Sequence, residues 1–489
     1  EIDGEVSQTK PFIKGVTYGV NNSGSTFNFY DGLIEGKTLA VNGSFSALES
    51  GYTVIYDTDV DYKSNYLDRI PIIQNITQAT SSDEKKYYDL KTAFEEAIDG
   101  DTLQMIADYS VLPTDETAVN NNSVTFDLNS KTIRQSNTLL IQNNRSLTIT
   151  DNSQNADGNI VFLNGTNVIS NDGTLNFVKG KISTSIETVT LIKNNTSGTL
   201  IVKDYAIIDS STRTILIDNS GTTNIYNGAY LHTEEYYAII NNNILNITDL
   251  NNDDDPNTSS DLRAPQIDAE GYINIYHGNP YTIQNNQNAT ATIYGGIYNN
   301  GDTSSPNIGL IIGNNGTANI KNLESYAFYI GGNNGTLTIE NSHFYNTSYH
   351  MIENNGTVNI NDTIFEISDT RGDYRLLSGG GVMNFNRVTF KVKDENTSYN
   401  GTLFYAYNGA TLNINDSNIS LNASIGLADS NVSTVSIKDT TINMSNGINA
   451  NNSSSLTIDD SDITSSNFGI SSNGASIIDI KNQSTISSL

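Results

Sequence analysis

The chain repeats a short pattern of alternating polar and apolar positions about fifteen times between residues 149 and 480. Its clearest copies are Gly335–Ile339 (Gly-Thr-Leu-Thr-Ile) and Gly356–Ile360 (Gly-Thr-Val-Asn-Ile). An alternation with a period of two residues predicts a β-strand with one buried face. The last apolar residue of each copy is Ile149, Phe177, Ile201, Ile225, Ile247, Ile275, Ile293, Ile320, Ile339, Ile360, Phe385, Ile414, Ile437, Ile458 or Ile480.

The spacing of these copies predicts a solenoid. Successive copies follow one another at intervals of 18 to 29 residues, with a mean of about 24. A strand this short cannot bury its own apolar face, so each repeat must stack on its neighbours. A period of 20 to 50 residues is typical of solenoid proteins.

Each repeat contains two further short strands. One follows the motif after a tight turn, as in Asp362–Phe365, and another precedes the next Asn-Gly turn, as in Gly309–Ile312. Three strands and three turns in about 24 residues are the dimensions of a right-handed parallel β-helix. The sequence therefore predicts an all-β fold, a right-handed parallel β-helix (β-solenoid) of about 15 coils with three short strands per coil.

Pairs of asparagine recur at a fixed place in the coil. Asparagine tolerates the left-handed backbone conformation of sharp turns. Stacked at the strand spacing of about 4.8 Å, the amides can also form a hydrogen-bonded ladder. We interpret these residues as structural. The pairs are Asn143-Asn144, Asn194-Asn195, Asn242-Asn243, Asn285-Asn286, Asn314-Asn315, Asn333-Asn334, Asn354-Asn355 and Asn451-Asn452.

The N-terminal part shows three regions. Residues 1–61 repeat the coil pattern and are predicted to be the terminal coils of a preceding β-helix module. Residues 62–87 are polar and are predicted to be a linker. Residues 88–489 are predicted to be the main β-helix, and it opens with an amphipathic helix, Tyr88–Ile98, that caps its N-terminal end. Further copies of the module are expected in a longer parent chain.

Composition narrows the classes of protein. Among 489 residues the formal net charge is −29, which argues against binding to nucleic acid or anionic membranes. The chain has no Cys, which excludes disulfides and thiolate chemistry. Secreted eukaryotic proteins of this length usually carry disulfides, so the expected location is the extracellular surface of a bacterium, in preference to an archaeon. Apolar runs are too short for membrane insertion.

Two segments carry a resemblance to known families. The segment Leu90–Leu103, with its helix followed by Gly100-Asp101-Thr102, resembles the N-terminal part of the pectin-lyase-like right-handed β-helix superfamily. The segment Phe27–Gly36 and the Asn-Asn-Gly-Thr copies resemble repetitive adhesin-like bacterial surface proteins. The resemblance implies a cell-surface adhesin-like or stalk protein. Because this superfamily also contains enzymes, a polysaccharide-degrading or carbohydrate-binding protein is the alternative.

We expect the protein to be non-enzymatic. Polygalacturonase-like enzymes of this fold carry Gly-His-Gly and Arg-Ile-Lys tripeptides, and neither occurs here. The four histidines, at 232, 277, 343 and 350, share no motif. Carboxylates brought together with Arg or Lys on adjacent coils would favour an enzyme instead. A third hypothesis is a structural spacer without a ligand.

The candidate binding residues are tyrosines. Tyrosine offers an apolar ring and a hydroxyl, which suit contacts with a glycan or a glycoprotein of a host or neighbouring cell. The alternative is that these rings cover strand edges. The predicted set is Tyr226, Tyr230, Tyr236, Tyr237, Tyr276, Tyr294 and Tyr298.

One acidic loop is a candidate metal site. Asp253, Asp254 and Asp255 supply the hard oxygen ligands that Ca²⁺ prefers. The preferred interpretation is a solvated acidic loop. We therefore expect no cofactor, with Ca²⁺ as the alternative.

Overall fold

The alternating motif forms strands whose apolar side chains point into the core. In Thr336–Glu340, Leu337 and Ile339 are fully buried, whereas the polar residues between and beside them face outward. In a computed structural model, 60% of the chain is strand and 2% is helix. The predicted all-β fold is confirmed as a parallel β-solenoid of about fifteen turns.

The structure describes most of the chain, and it divides into two units, residues 1–165 and 166–489. The described residues are 12–29, 33–44, 46–47, 52–57, 63–69, 71–111, 115–234, 237–248, 266–270, 283–295, 297–298, 310–325, 328–347, 351–367, 375–392, 402–421, 424–427, 433–451, 454–474 and 476–488.

The first unit begins with short strands that pair in parallel about one coil apart. Phe12–Gly15 pairs with Leu33–Gly36, and Tyr18–Asn21 pairs with Leu39–Asn42. A hairpin follows, in which Tyr52–Asp57 runs antiparallel to Lys63–Arg69. Lys63–Arg69 also pairs antiparallel with Leu33–Gly36. The strands of this region are Phe12–Gly15, Tyr18–Asn21, Asn28–Phe29, Leu33–Gly36, Leu39–Asn42, Ser46–Ala47, Tyr52–Asp57, Lys63–Arg69, Ile73–Asn75 and Lys86–Tyr87.

The predicted linker, residues 62–87, thus contains three strands. The division between the two units falls at residue 165 and not near residue 61. The predicted domain boundaries stay a prediction.

One helix, Leu90–Glu96, lies where the amphipathic pattern predicts it and is shorter than predicted. Asp89 begins it, because its carboxylate accepts a hydrogen bond from the Thr92 backbone N–H at 2.7 Å. The Phe94 ring packs edge-on against Phe126 at 5.6 Å between centroids. The helix is therefore held by the apolar core, and its role as a cap stays a prediction.

The remainder of the first unit has the three-strand coil. Its first strands are Thr102–Met105, Ser123–Asp127 and Ser146–Thr150. Its second strands are Tyr109–Val111, Thr132–Gln135 and Asn159–Phe162. Its third strands are Ala118–Asn120 and Leu139–Asn143.

The described residues of the second unit form thirteen stacked coils with the same three strands. The first strands carry the motif and pair in parallel from coil to coil. They are Thr174–Thr184, Thr199–Ser210, Thr222–Tyr226, Ile244–Thr248, Thr290–Tyr294, Thr317–Lys321, Thr336–Glu340, Thr357–Asn361, Val382–Asn386, Thr411–Asn415, Thr434–Lys438, Ser455–Asp459 and Ile477–Lys481.

The second strands follow after a turn. In the two longest strands, Thr174–Thr184 and Thr199–Ser210, the first and second strands are continuous. The others are Tyr230–Glu234, Gln266–Glu270, Ile297–Tyr298, Glu324–Ser325, His343–Thr347, Ile364–Ile367, Thr389–Val392, Asn418–Leu421, Thr441–Met444, Asp462–Ser465 and Thr485–Ser488.

The third strands complete each coil. They are Asn167–Asn171, Thr190–Asn194, Ile215–Asn219, Ile239–Asn241, Ile283–Asn285, Leu310–Asn314, Phe328–Asn333, Ile352–Asn354, Arg375–Gly379, Thr402–Ala406, Ser424–Leu427, Ile448–Asn451 and Ile470–Asn473.

A buried asparagine ladder closes the third strands, as the sequence predicts. In the second unit each side-chain amide donates to the next at 2.7 to 2.8 Å, and all the side chains are fully buried. The amides also donate to backbone carbonyls, so buried polar atoms find partners. The ladder consists of Asn171, Asn194, Asn219, Asn241, Asn285, Asn314, Asn333 and Asn354. Where the sequence predicts the pair Asn242-Asn243, the ladder residue is the preceding Asn241.

Of the two reasons that the sequence analysis gives for the asparagine pairs, the amide ladder is confirmed and the left-handed backbone is wrong. The ladder residues do not have positive φ angles. Left-handed residues instead occupy the turn between the first and second strands, as at Asn341 (φ 49), Asp362 (φ 50) and Asp439 (φ 49). The ladder residues are therefore selected for their amide hydrogen bonds and the turn residues for their backbone.

One predicted motif position, Ile201, is also wrong. Phe177 pairs with Val202, and Ile201 pairs with Asn176 and Asn224, so Ile201 faces outward. The prediction is therefore shifted by one residue, which exchanges the inward and outward side chains. Ile247 pairs directly in register with Ile293. The predicted copy at Ile275 lies outside the described residues.

Candidate ligand-binding face

Charged and aromatic side chains converge on the outward side of the second strands, which we call the second-strand face. Asp209 and His232 occupy matching positions on adjacent strands. The Nδ1 atom of His232 lies 2.8 Å from Oδ1 of Asp209, and Lys181 Nζ lies 2.6 Å from Oδ2. The Tyr230 ring stacks on the His232 ring at 6.0 Å with an angle of 10°. These four residues form the Asp209 cluster.

A second group with the same chemistry lies further along the same face. Glu366 Oε1 lies 2.7 Å from Lys391 Nζ and 3.3 Å from His343 Nε2. The Tyr345 ring lies 3.8 Å from the His343 ring between centroids. His343, Tyr345, Glu366 and Lys391 form the Glu366 cluster. Each cluster thus combines one lysine, one carboxylate, one imidazole and one phenol.

The strand geometry explains both clusters. Tyrosine and histidine are two residues apart in each case, and a strand points residues i and i+2 to the same side. In each cluster the tyrosine and histidine lie on one coil, the carboxylate lies on the adjacent coil, and the lysine lies on the next coil beyond the carboxylate. The order is reversed, because the lysine precedes the histidine along the chain in the Asp209 cluster and follows it in the Glu366 cluster.

The carboxylates are held in the ionised form. Burial raises the pKa of Asp209, but hydrogen bonds from Lys181 and His232 outweigh it, and the pKa lies below its usual value. Burial likewise raises the pKa of Glu366, and the hydrogen bond and charge of Lys391, with His343, bring it below its usual value. At neutral pH each cluster therefore presents hydrogen-bond acceptors beside the lysine ammonium donor.

The predicted tyrosines lie on different faces. Tyr230 belongs to the Asp209 cluster. Tyr226 and Tyr294 lie on the first strands, each in register with Thr248, so they project from another face. Tyr237 is half-buried and precedes a third strand.

Three predicted tyrosines cannot be placed further. Tyr298 ends the short strand Ile297–Tyr298, and its side chain lies outside the described part of the structure. Tyr236 and Tyr276 also lie outside the described residues. The predicted tyrosine set therefore contributes one residue, Tyr230, to the clusters.

The acidic loop Asp253, Asp254 and Asp255 lies outside the described residues as well. Among the residues that the structure describes, no group of three or more His, Cys, Asp or Glu is arranged to hold a metal ion. Calcium binding by this loop stays a prediction.

Sequence reasoning missed seven of the eight cluster residues. The histidines share no sequence motif because their partners are on other coils. A usable signal was present in Tyr230-Leu231-His232 and His343-Phe344-Tyr345, two second strands that place both rings on one side. The carboxylate and the lysine become visible only when the coil register is known.

Comparison with known proteins adds no relative. No protein-family model matches the chain, and no curated protein or solved structure matches it. Within the described residues, no helix has the length and apolar character needed to cross a membrane. Function must therefore be inferred from the fold and the clusters.

Proposed function

We propose that the chain is a rigid, non-enzymatic module of an adhesin-like bacterial surface protein that attaches extracellularly to glycans or glycoproteins of a host or neighbouring cell. The pectin-lyase-like superfamily resemblance of the sequence fits this proposal. The second-strand face supplies the attachment residues, and the stacked coils hold them in position.

The observation that carries this proposal is the buried asparagine ladder of the second unit. Each amide joins one coil to the next, for example Asn314 to Asn333 at 2.7 Å. Buried and fully paired polar networks make a structure rigid. At about 4.8 Å per coil, thirteen coils extend roughly 60 Å. A stiff stack of this length suits display and attachment.

A glycan ligand suits the clusters because a sugar hydroxyl both donates and accepts hydrogen bonds. Each cluster offers the ammonium of Lys181 or Lys391 as donor and a carboxylate as acceptor. The tyrosine ring beside each histidine offers an apolar surface with a polar edge. Attachment through such residues needs no cofactor.

A polysaccharide-degrading enzyme is the second candidate, and one observation favours it. His232 lies in register with Asp209 on the adjacent strand, and its Nδ1 atom is 2.8 Å from the Asp209 carboxylate. A carboxylate hydrogen-bonded to an imidazole is an arrangement that general acid–base catalysis uses. Lys181 on an adjacent coil adds the basic group that the sequence argument required.

The test is incubation of the purified chain with immobilised polysaccharides and mucin-type glycoproteins. Retention of protein and release of soluble sugar are both measured. Retention without release supports attachment. Release of sugar that is abolished by Asp209→Asn establishes the enzyme instead. If neither occurs, the attachment proposal is wrong and a structural spacer is favoured.

A matched set of variants connects the result to the clusters. Tyr230→Ala combined with Tyr345→Ala should reduce retention. Tyr294→Ala is the control, because Tyr294 is 40% exposed on the first-strand face. Equal retention by both variants would place the attachment surface elsewhere.

A further inference from the structure

Both clusters lie on second strands of the second unit, and the pairing of the first strands gives the distance between their coils. From the coil of His232 to that of His343 the first strands make four parallel steps, through Ile244–Thr248, Thr290–Tyr294 and Thr317–Lys321. At about 4.8 Å per step, the two histidines are roughly 19 Å apart along the stack. A ligand that contacts both clusters must therefore be longer than this span.

The spacing is fixed by the core. The buried asparagine ladder passes through the same coils, from Asn219 to Asn354, with hydrogen bonds of 2.7 to 2.8 Å. Two sites held at a constant separation bind a matching two-ended ligand without losing the entropy of ordering the protein. The geometry therefore favours one long ligand over two unrelated ones.

The charges indicate a neutral ligand. The formal net charge of −29 repels polyanions such as polyuronates. Each cluster pairs its carboxylate with a lysine at 2.6 or 2.7 Å, so the cationic groups are already partnered. Uncharged hydroxyl groups can hydrogen-bond to such pairs without separating them.

The clusters are accessible to a ligand of this kind. The side chains of Lys181 and Lys391 are 36% and 45% exposed, and His232 and His343 are 13% and 22% exposed. The lysines thus line the outer surface, while each histidine is held more deeply beside its tyrosine. A flat sugar ring on the tyrosine and histidine would place its hydroxyls near the lysine and the carboxylate.

We propose that the Asp209 and Glu366 clusters are two subsites for a single neutral, linear polysaccharide that lies along the stack and occupies both. This inference rests on the proposed attachment function and specifies its ligand class and its two-point geometry. The ladder sets the distance between the subsites, and the tyrosines are the main contacts in each.

Calorimetric titration of the full chain tests the proposal. The probes are cello-, manno- and xylo-hexaose, the corresponding disaccharides, and oligogalacturonate of the same length as the hexaoses. A disaccharide is shorter than the span, whereas an extended hexasaccharide exceeds it. We expect one hexaose per chain, bound about 100-fold more tightly than its disaccharide, and two disaccharides per chain.

Variants separate the two subsites. Tyr230→Ala or Tyr345→Ala alone should lower the hexaose affinity about 100-fold, to the level of the disaccharide, and should leave one disaccharide site. Tyr294→Ala should change neither value. Circular dichroism checks that each variant is folded. If a tyrosine variant fails to fold, Lys181→Met and Lys391→Met replace it.

Four results would overturn the inference. Two hexaoses bound per chain would show two independent sites. Hexaose binding unchanged in both tyrosine variants would place the ligand elsewhere, with attachment intact. Tighter binding of oligogalacturonate would refute the neutral ligand. Absence of binding to every probe, together with no retention on any immobilised glycan or glycoprotein, would refute the attachment function itself.

Discussion

His232 Nδ1 lies 2.8 Å from Asp209 Oδ1, although 23 residues separate the two along the chain. Their strands are adjacent and parallel, and the register places the residues opposite each other. Lys181, one coil earlier, contacts the other carboxylate oxygen at 2.6 Å. Three successive coils thus meet at one carboxylate, and residues that are distant in sequence become one cluster through stacking.

The first prediction concerns the acid stability that Asp209 confers. Its pKa is lower in the folded chain than its usual value of 3.8, so the folded state binds the proton less readily than the unfolded state. The carboxylate therefore stabilises the fold above about pH 4, and this contribution is lost as the pH falls through the folded pKa. Asp209→Asn should reduce the difference in stability between pH 7 and pH 3.

Urea unfolding midpoints measured from pH 3 to pH 7 check this expectation. Lys181→Met is the matched variant, because it removes the main hydrogen bond that lowers the Asp209 pKa and should shift the profile in the same direction. A pH profile of Asp209→Asn parallel to that of the unchanged chain would show that this pair does not contribute.

Much of the fold could be predicted because the strands repeat one alternation. In Gly356–Ile360 the buried positions are Val358 and Ile360, as the pattern requires. Stacking follows from the short strand and the long period. The helix could be predicted because Leu90, Ala93 and Phe94 share one apolar side.

The failures arise where the local pattern is ambiguous. In Leu200-Ile201-Val202 three apolar residues are consecutive, and alternation does not decide which face inward. The register with Phe177 selects Val202 for the core.

The candidate site was less predictable than the fold. Tyr230 was identified by its chemistry, but its partners His232 and Asp209 were not. Coil lengths vary, so the position opposite a given residue cannot be obtained by adding a constant number. Contacts between coils depend on register, and a single sequence does not fix the register.

The second prediction concerns the left-handed turn residue Asn341. Its φ angle is 49°, a conformation that costs a β-branched residue roughly 1 to 2 kcal/mol. Asn341→Val should lower the free energy of unfolding by about 1.5 kcal/mol. Asn341→Gly is the control and should change it by less than about 0.5 kcal/mol, because glycine adopts this conformation without steric cost. Equal thermal unfolding of both variants would contradict the prediction.

The third prediction concerns the phenylalanine stack in the core. The Phe365 ring lies 5.2 Å from Phe344 and 4.8 Å from Phe390 between centroids, and all three are fully buried. Phe365→Ala leaves a cavity between two rings and should lower the free energy of unfolding by about 4 kcal/mol. Phe365→Leu keeps most of the volume and should cost about 1 kcal/mol. Urea unfolding measures the free energy of unfolding of both variants. If alanine lowers it no more than leucine does, the neighbouring rings move to fill the cavity and the prediction is wrong.

The last prediction concerns Asn314, a central residue of the ladder. Its side chain accepts from Asn285 at 2.8 Å and donates to Asn333 at 2.7 Å and to the Thr336 carbonyl at 3.0 Å. Asn314→Ala removes one hydrogen-bond partner from the buried amides of Asn285 and Asn333. Each buried polar group that loses its partner lowers the free energy of unfolding by about 1 to 3 kcal/mol. We therefore expect a total loss of about 3 kcal/mol.

Asn315→Ala is the matched control for Asn314→Ala. Asn315 is the next residue and is exposed, and it accepts from Asn334 at 2.9 Å on the surface. Asn315→Ala should lower the free energy of unfolding by less than about 0.5 kcal/mol, because water can hydrogen-bond to Asn334 in place of the Asn315 amide. Hydrogen exchange should show faster exchange in strands Ile283–Asn285 and Phe328–Asn333 for Asn314→Ala alone. Equal effects of the two substitutions would mean that burial of the ladder adds nothing to its strength, which would remove the basis for treating the stack as a rigid support.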